Sequence, residues 1–575
     1  MSFKRFLPIA EWLPRYNKDL LKNDLAAGLT VGIMLIPQGM AYAMIAGLPP
    51  IYGLYACTIP LIIYAILGTS RQLAVGPVAM VSLLTASGIG VLAEGGTELY
   101  ILLAITLALM VGLIQFLLGV FRLGFLVNFL SHPVISGFTS AAALIIGLSQ
   151  LKHLLGVDIA RSHHVHEIIG QAISQFGIIN WVTVALGVVG IILIKIVKKS
   201  PISIPGQLVA VVFGILAVFG LGLTEQGVKI VGTVPDGLPT LSLPSFNMEH
   251  WQALLPIAVT IALVSFMESI AVAKAIQSKH RDYKIIPNQE LIALGAANIG
   301  GAFFQSYPTT GGFSRTAVND QAGAKTGMAA IFSAILIVLT LLFLTPLFYY
   351  LPKAILASVI MVAVFGLIDI KEAVHLWKSD RSDFWMLIIT FIATLTLGIE
   401  LGIGIGVLLS LAVVLYQTTQ PHVAILGRIP NTDFYRNVDR FQHIVERPDL
   451  LILRFDAQLY FANSNHFKET IETEILRKGE TLKAIILPAN SISDLDSSAL
   501  HAFDEIVELC QNKSIKLYLS GVRGPVRDMM ERSGFINKIG QQHFFINIQN
   551  AVDYLDGKES PAKAKLKRYT LQTNK

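Results

Sequence analysis

Three polar residues stand in stretches of the sequence that are otherwise apolar or rich in glycine. Gln38 lies in LIPQGMAYAMIAG, Glu268 in ALVSFMESIAVA, and Arg315 in TTGGFSRTAVND. An ionisable or amide side chain at membrane depth is costly and usually functional. A guanidinium gives a bound anion a delocalised positive charge, an amide donates two hydrogen bonds to an oxyanion, and a carboxyl group takes up a proton or a cation. These residue types predict an anion site with a coupling ion at Glu268.

Each of these side chains also has a purely structural interpretation. Arg315 can form an ion pair with Asp320 or Glu268. Gln38 can make a hydrogen bond between two helices. Glu268 can be the permanent counter-ion of Arg315 or Lys274. The sequence alone leaves these alternatives open.

The composition places these residues in a membrane protein. The chain is 53% hydrophobic and 14% charged, and its mean hydropathy of +0.62 excludes a chain that is soluble throughout. Residues 426–575 hold 21 Lys+Arg and 19 Asp+Glu, which is 40 of the 82 charged residues, and leave 42 for the first 425. We therefore expect a transmembrane domain over 1–425, a soluble domain over 426–557, and a basic tail over 558–575.

Twelve apolar stretches approach the roughly 20 residues that a crossing helix needs. They are residues 24–46, 51–68, 98–120, 132–151, 180–197, 205–222, 251–276, 287–304, 327–350, 354–368, 383–398 and 400–419. Residues 71–84 and 309–320 are too short or too polar to cross alone, so they count as half-crossings. Fourteen segments divide into seven plus seven, and a repeat of odd length is inserted with inverted orientation. This predicts inverted repeats over about 20–225 and 250–425, as in secondary transporters.

The basic residues of the connecting loops predict the orientation of the chain. Twelve lie in the even-numbered connections, namely Arg71, Arg122, Lys195, Lys198, Lys199, Lys279, Arg281, Lys284, Lys325, Lys371, Lys378 and Arg381. The odd-numbered connections carry four, Lys152, Arg161, Lys229 and Lys353. The positive-inside rule then predicts a cytoplasmic N-terminus and a cytoplasmic C-terminal domain on a multi-pass protein of the cell (inner) membrane.

Both half-crossings begin with helix-breaking residues. Gly76 and Pro77 open the first, and the run from Pro308 to Gly312 opens the second. A helix that begins inside the membrane leaves unpaired N–H groups and about half a positive charge at its N-terminus. Two such ends that meet near the midplane would form an anion pocket from backbone alone; ordinary Gly/Pro kinks are the alternative.

Other classes of function find little support. No GxxxxGK[ST] loop occurs, which disfavours a nucleotide-driven pump, and no catalytic grouping or cofactor motif stands out. The two cysteines, Cys57 and Cys510, do not predict a disulfide framework or a metal site. The histidine-rich run from Arg161 to Glu167 is typical of a solvated loop, and the net charge of +6 does not indicate nucleic acid. We expect a secondary transporter rather than an enzyme, without cofactor, metal or nucleic-acid partner.

Several long motifs, in order, resemble the SulP, or sulfate permease, family of anion transporters. They are IPQGMAYAMIAGLPPIYGLY (36–55), GTSRQLAVGPVAMVSLL (68–84) and NQELIALGAANIGGAFFQSYPTTGGFSRTAVNDQAGAKT (288–326). The resemblance implies core and gate domains of the uracil-permease fold, transport by movement of the core against the gate, and a homodimer. It also implies a substrate site between segments 1, 3, 8 and 10. That site would be lined by Gln38, Tyr42, Gly76, Pro77, Val78, Ala79, Phe313, Ser314 and Arg315.

Members of this family differ in substrate and coupling ion. Glu268 is similar to the carboxylate of proton-coupled members, which favours symport of sulfate with H⁺. Sodium-coupled bicarbonate uptake (Na⁺ in place of H⁺) and anion exchange stay open, as does a membrane-anchored regulatory protein.

The C-terminal domain has alternating strands and helices, which predicts a compact α/β fold. It resembles the STAS domain, and DLDSSAL (494–500) matches the Asp-Ser-Ser motif of that domain. The resemblance implies that Ser497 or Ser498 is a regulatory phosphorylation site; a plain helix cap is the alternative. The tail PAKAKLKRYTLQTNK carries five basic residues and no acidic ones, so we expect it to contact anionic lipid headgroups unless it is simply a disordered end.

Overall fold

The computed structural model describes residues 7–125, 131–159, 165–199, 205–280 and 282–558. Arg161, His163, His164, Arg281 and the tail from residue 559 onward lie outside these ranges. The chain forms two compact units, Met1–Ser410 and Leu411–Lys575. Each has a hydrophobic core of its own.

The first unit is helical apart from two strands of two residues each. Its first half contains α1 (Ile9–Trp12), α2 (Lys18–Ala46), α3 (Pro50–Tyr55), α4 (Ile59–Leu67), β1 (Val75–Gly76), α5 (Ala79–Gly90), α6 (Glu98–Val120), α7 (His132–Ser149), α8 (Leu151–Leu155), α9 (Val165–Ser174), α10 (Trp181–Lys199) and α11 (Gly206–Leu221). Its second half contains α12 (Met248–His280), α13 (Pro287–Ala302), β2 (Thr310–Gly311), α14 (Phe313–Gln321), α15 (Met328–Leu339), α16 (Lys353–Phe365), α17 (Ile370–Ser379), α18 (Arg381–Leu397) and α19 (Ile399–Thr419).

The second unit begins within α19 and then forms an α/β domain. It contains β3 (Val423–Arg428), β4 (Tyr435–Asn437), β5 (Leu450–Phe455), α20 (Ser464–Lys478), β6 (Ala484–Pro488), α21 (Ser497–Asn512), β7 (Lys516–Ser520), α22 (Gly524–Arg532), α23 (Phe535–Ile539), β8 (Phe544–Phe545) and α24 (Ile548–Leu555).

Sequence signals set the ends of the long helix α2. The side chain of Asn17 accepts a hydrogen bond from the N–H of Leu20 at 3.0 Å, which caps the N-terminus. Gly47 ends the helix in the left-handed region, with φ +84°, a conformation that glycine adopts without strain. Between these ends lie 29 residues, enough to cross a bilayer.

All fourteen predicted segments are present as helical segments. Within the described residues, eight helical segments are long and apolar enough to cross a membrane, and three shorter apolar helices accompany them. Segment 51–68 is divided into α3 and α4, because Pro50 and Pro60 each start a new helix. Segment 327–350 passes from α15 into a π-turn at Thr340–Leu344 and a 3₁₀ turn at Thr345–Phe348. The first half-helix extends to Gly90, six residues beyond its predicted end.

The helices of the first unit pack in two groups. In one, α13 packs on α4 and α6, α15 packs on α2, and α12 packs on α5 and α6. In the other, α18 packs on α7 and α10 packs on α11 and α16. The groups meet where α2 contacts α11 and α16 and where α5 contacts α7. The two half-helices, α5 and α14, belong to the first group.

The second unit is a six-stranded sheet in the order β4-β3-β5-β6-β7-β8. The strands from β5 to β8 are parallel, and β3 runs antiparallel to both of its neighbours. Alternate residues of β5 face opposite sides: Leu451 and Leu453 pack with α20 to α23, whereas Leu450 and Ile452 pack towards α24. Because β3 pairs with β5 from Val423 onward, the α/β fold begins three residues before the predicted boundary at 425/426.

Candidate anion site

The strands β1 and β2 cross inside the first unit and bring two helix starts together. They pair antiparallel, with Val75 opposite Gly311 and Gly76 opposite Thr310. Helices α5 and α14 begin two or three residues after the crossing, at Ala79 and Phe313. Neither cap residue, Val78 or Gly312, makes a capping hydrogen bond with its side chain. Two helix N-termini, each with partial positive charge, therefore lie side by side.

Arg315 lies across this crossing. It is the third residue of α14 and is 1% exposed. Its Nη1 donates to the carbonyl oxygen of Pro77, which precedes α5, at 2.5 Å. A Cβ atom placed on Gly312 would stand 2.8 Å from Nη2, so this glycine leaves room for the guanidinium, whereas one on Gly76 would make an ordinary contact at 3.5 Å.

The guanidinium forms no ion pair with a carboxylate of the described residues, and Glu268 acts on it only at longer range. Its Nε and Nη2 atoms are buried without a hydrogen-bond partner. The carboxylate of Asp320, one of the expected ion-pair partners, is instead hydrogen-bonded to His280 and lies 3.6 Å from Nζ of Lys279. An unpaired buried cation is unfavourable unless a ligand supplies the missing acceptors. Nε and Nη2 of Arg315 are thus two buried donors that the described residues leave without an acceptor.

Gln38 and Glu268 occupy equivalent places on the two longest helices. Each lies twenty residues after the first residue of its helix, Lys18 of α2 and Met248 of α12. Gln38 is 1% exposed, and its Oε1 has no partner. Glu268 is half-buried, and its Oε2 is buried without a partner. Both side chains thus keep a polar atom that the described residues leave unsatisfied.

Electrostatic contacts join these residues to Arg315. The positive charge of Arg315 lies close enough to interact with Tyr42, Cys57, Glu268 and Tyr307. A Cβ on Gly76 would also lie 3.8 Å from Sγ of Cys57, and one on Gly39, next to Gln38, would lie 3.3 Å from the same sulfur. The structure therefore brings segments 1, 3, 8 and 10 to one place around Arg315.

The remaining expected residues differ in exposure. Gly76, Pro77, Val78 and Ala79 are buried. In contrast, Phe313 is 59% exposed and Ser314 is also exposed. The start of α14 therefore reaches accessible surface while Arg315, one residue further, does not.

A buried polar network that the sequence analysis did not identify supports β2. Oδ1 of Asn298, on α13, accepts from the N–H of Thr309 at 2.8 Å. Oγ of Ser269, next to Glu268, accepts from the N–H of Gly311 at 2.8 Å and lies 2.6 Å from Oγ1 of Thr310. The bonds of Ser269 fix the backbone directly before α14 to α12, the helix that carries Glu268. The bond of Asn298 fixes the same backbone to α13. Their signal in the sequence is a set of polar residues inside apolar segments 8 and 9.

Two buried carboxylates, also not identified from sequence, hold the flanks of the half-crossings. Glu290 accepts from Tyr64, from Thr69 and from the N–H of Ser70, at 2.6 to 3.2 Å. Asp24 accepts from the N–H of Lys325 and from Thr326, at 2.6 to 3.0 Å. Their hydrogen bonds are satisfied, so they act as structural anchors. Within the described residues no group of three or more His, Cys, Asp and Glu could hold a metal ion.

In the second unit, the Asp-Ser-Ser motif starts α21. Asp496 is the cap residue, and its carboxylate accepts from the N–H groups of Ala499 and Phe461, both at 2.8 Å. Ser497 and Ser498 follow as the first two helical residues and are exposed. The capping role thus falls to the aspartate rather than to either serine.

Comparison with known proteins identifies both units. Residues 21–390 match the sulfate permease family, and residues 442–551 match the STAS domain. The chain is 40% identical to Sulfate transporter 4.1, chloroplastic, of Arabidopsis thaliana, over 95% of this chain and 82% of the relative. It is 37% identical to Sulfate transporter 3.1 of the same plant, over 96% and 87%.

Solved structures agree with this assignment. The murine Solute Carrier 26 family member A9, described as an anion transporter in the inward-facing state, superimposes with a TM-score of 0.87 at 27% identity. The match covers 96% of this chain and 94% of the murine chain. The expected core-and-gate fold with a C-terminal STAS domain is confirmed. The chain therefore belongs to the sulfate permease family: it is a multi-pass membrane transporter of inorganic anions, not an enzyme, and it carries a C-terminal STAS domain.

Proposed function

We propose that this chain is a secondary transporter that carries sulfate into the cytoplasm together with protons. The observation that carries the proposal is the buried, unpaired guanidinium of Arg315 between the starts of α5 and α14, with an unsatisfied carboxylate oxygen of Glu268 beside it. The names of the Arabidopsis relatives support sulfate as the substrate. Sulfate has four oxygens and two charges, so it matches several donors that converge on one point.

In the proposed site, the anion binds to Nε and Nη2 of Arg315 and to the first-turn N–H groups of α5 and α14. Gln38 and Tyr42, from α2, complete the site with an amide and a hydroxyl group, both of which can donate hydrogen bonds to an anion. Nε and Nη2 of Arg315 are buried donors without a protein acceptor among the described residues.

Glu268 couples the anion to the proton. A bound sulfate beside Glu268 disfavours the charged carboxylate through like-charge repulsion, so a proton and the anion bind more tightly together than apart. Ser269, the residue after Glu268, is hydrogen-bonded to Thr310 and to the N–H of Gly311, so a shift of α12 at Glu268 would reach β2 and the start of α14.

Transport follows from movement of one helix group past the other. The group of α2–α6 and α12–α15 corresponds to the core, carries the site, and moves as a body against the gate group of α7–α11 and α16–α19. The protein functions as a homodimer in the cell (inner) membrane, with the N-terminus and the STAS domain in the cytoplasm.

Uptake by purified protein in liposomes tests this proposal. Labelled sulfate and labelled bicarbonate are offered under an imposed pH gradient or sodium gradient. We expect sulfate uptake that an acidic outside drives. Glu268→Gln should lose the response to the pH gradient and keep exchange of external for internal sulfate. The matched control is Glu249→Gln, which changes an exposed carboxylate on the same helix.

The outcomes separate the parts of the proposal. Sodium-driven uptake would refute proton coupling, and uptake of bicarbonate in place of sulfate would refute the substrate. A pH response that survives in Glu268→Gln would refute the role of Glu268. Equal loss in Glu249→Gln would show that the effect does not belong to the site.

A further inference from the structure

Helix α17 presents an apolar stripe that the described residues leave uncovered. Ile370, Val374 and Trp377 lie at spacings of four and three residues, on one face, and are 71%, 51% and 45% exposed. Leu376, on another face, is buried. The helix thus packs on the protein through one side and turns a second apolar side outward.

Two lysines lie beside this stripe, both along the same edge. Lys371 and Lys378 are seven residues apart, close to two helical turns, so they lie on the same side of α17. Both are exposed, and neither forms an ion pair with a described residue. A third cation, Arg381, stacks its guanidinium 5.0 Å from the ring centroid of Trp377. This part of the molecule therefore carries three cations without a carboxylate partner.

The nearby carboxylates are engaged elsewhere. Asp369 caps α17 through the N–H of Glu372 at 3.0 Å, and Asp380 caps α18 through the N–H of Ser382 at 2.8 Å. Glu372 lies 3.2 Å from His132, and Asp383 lies in the first turn of α18, where the helix dipole compensates a negative charge. These carboxylates keep their negative charge but are held at helix starts and beside His132, whereas Lys371 and Lys378 lie next to the stripe without an ion pair to a described residue.

The stripe continues into an exposed apolar face of α18. Trp377 contacts Phe384 at a centroid distance of 4.8 Å, and Phe384 contacts Trp385 at 5.6 Å. Trp385, Ile389 and Ile392 follow along α18 and are 52%, 42% and 52% exposed, the pattern of a membrane helix face in contact with lipid. Trp residues are enriched where such a face reaches the headgroups. A continuous apolar band thus leads along α18 to α17.

We propose that α17 lies in the membrane interface and binds anionic phospholipid headgroups through Lys371 and Lys378. Ile370, Val374 and Trp377 enter the boundary between headgroups and acyl chains, and the lysine side chains reach outward to the phosphates. The lipid holds the gate group at a constant depth while the other group moves. This role is independent of the substrate and of the coupling ion.

Quenching of tryptophan fluorescence by brominated lipid tests the proposal on the full-length protein in nanodiscs. The difference in quenching between the native chain and the Trp377→Phe variant measures the contact of Trp377 with lipid, and so reports lipid next to α17. We expect brominated phosphatidylglycerol to quench this component at a lower mole fraction than brominated phosphatidylcholine, by about fivefold for each lysine near the surface. The preference should weaken as salt is raised.

The double variant Lys371→Gln/Lys378→Gln should make the two lipids equivalent at this position. The control Lys513→Gln/Lys516→Gln removes the same charge from two exposed lysines of the STAS domain and should leave the preference intact. Equal quenching by both lipids in the native chain would refute the proposal, as would a preference that survives in the double variant. Absence of quenching by either lipid would show that another partner covers the stripe.

Discussion

Arg315 combines three features that are unfavourable together without a ligand. It is a cation, it is buried, and among the described residues its side chain donates one hydrogen bond, to the carbonyl of Pro77. Two helix N-termini beside it add positive potential instead of relieving it. Burying an uncompensated ion costs several kcal/mol, so the apo state stores an energy that a bound anion releases.

Replacement of Arg315 by Gln should therefore separate binding from stability. We expect the KM for sulfate to rise by roughly 10- to 100-fold, the loss of one or two charge-assisted hydrogen bonds. The apo protein should not become less stable, because the variant removes an unpaired charge. Thermal unfolding with and without sulfate measures both effects, since ligand stabilises only the form that binds it. Arg71→Gln, which breaks an exposed pair with Asp282, should change neither.

The sequence marks the polar residues of this region, but it does not give their partners. Gln38, Glu268 and Arg315 stand out because amide and ionisable groups in apolar segments are rare. That Asp320 pairs with Lys279 and His280 rather than with Arg315 depends on where α12 and α14 end relative to each other. Asn298, which fixes β2, is one polar residue among several in its segment, and nothing in its spacing marks it.

Among the elements, α2 and α3 approach so closely that only glycine fits at the contact. A Cβ on Gly53 would stand 1.9 Å from the carbonyl oxygen of Gly39, next to Gln38. The atoms nearest to this Cβ belong to the backbone of α2, which cannot turn aside as a side chain can. A methyl group on Gly53 therefore fits only if the two helices separate.

We expect Gly53→Ala to destabilise the first unit by more than about 3 kcal/mol, the upper range of overpacking, and to disturb the position of Gln38. The control Gly90→Ala places a methyl group where no atom lies within 4 Å. Yield of folded protein and its thermal unfolding in detergent measure the difference. Equal behaviour of the two variants would contradict the close packing of α2 on α3.

The cap of α21 allows a sharper test in the second unit. Asp496 accepts two backbone N–H groups, whereas Asp494, two residues earlier, is exposed and bonds to the N–H of the next residue. Asp496→Ala should cost about 1 to 2 kcal/mol, and Asp494→Ala close to nothing. Hydrogen exchange at the start of α21 measures both. If Ser497 or Ser498 were the cap instead, its replacement by Ala would have the larger effect.

The sequence predicts the long helices, but it does not predict the short strands or the short helix α17. Apolar runs of about 20 residues predicted α2, α6 and α12, because the bilayer sets their length. The strands β1 and β2 have two residues each, too few for a periodic pattern, and their pairing joins positions far apart in the chain, Val75 with Gly311 and Gly76 with Thr310. The sequence analysis places the residues of α17 in a connecting loop with basic residues. Their apolar pattern repeats for little more than two turns, too short to predict a helix.

At the scale of the molecule, the unequal distribution of charge predicted two units before any fold was known. The membrane unit holds two carboxylates, Glu290 and Asp24, in buried hydrogen bonds. The STAS unit keeps its charges in surface networks around the sheet. The two units should therefore respond differently to acid.

Arg447 connects two carboxylates of the STAS unit, Asp449 at 2.7 Å and Asp556 at 2.6 Å. Hydrogen bonds from Arg447 lower the pKa of Asp449, against a smaller opposing effect of burial. For Asp556, burial raises the pKa, but the bonds from Arg447 and Lys558 outweigh it, so the net shift is also downward. A carboxylate with a lowered folded-state pKa stabilises the fold above its unfolded pKa of about 4 and loses that contribution as pH falls through the lower value.

We expect the thermal unfolding transition of the STAS unit, measured on the full-length protein, to move to lower temperature on acidification from pH 6 to pH 3. The shift should be roughly 2 to 6 °C, because each partly exposed pair contributes at most about 1 kcal/mol.

Arg447→Met should lower the transition temperature at pH 6 and flatten its pH dependence, since Asp449 and Asp556 then titrate near their ordinary values. Arg440→Met, which removes an exposed arginine without an ion pair among the described residues, should keep the native slope. Calorimetry over this pH range measures all three proteins. A slope that Arg447→Met leaves unchanged would place the acid sensitivity of the STAS unit in other carboxylates.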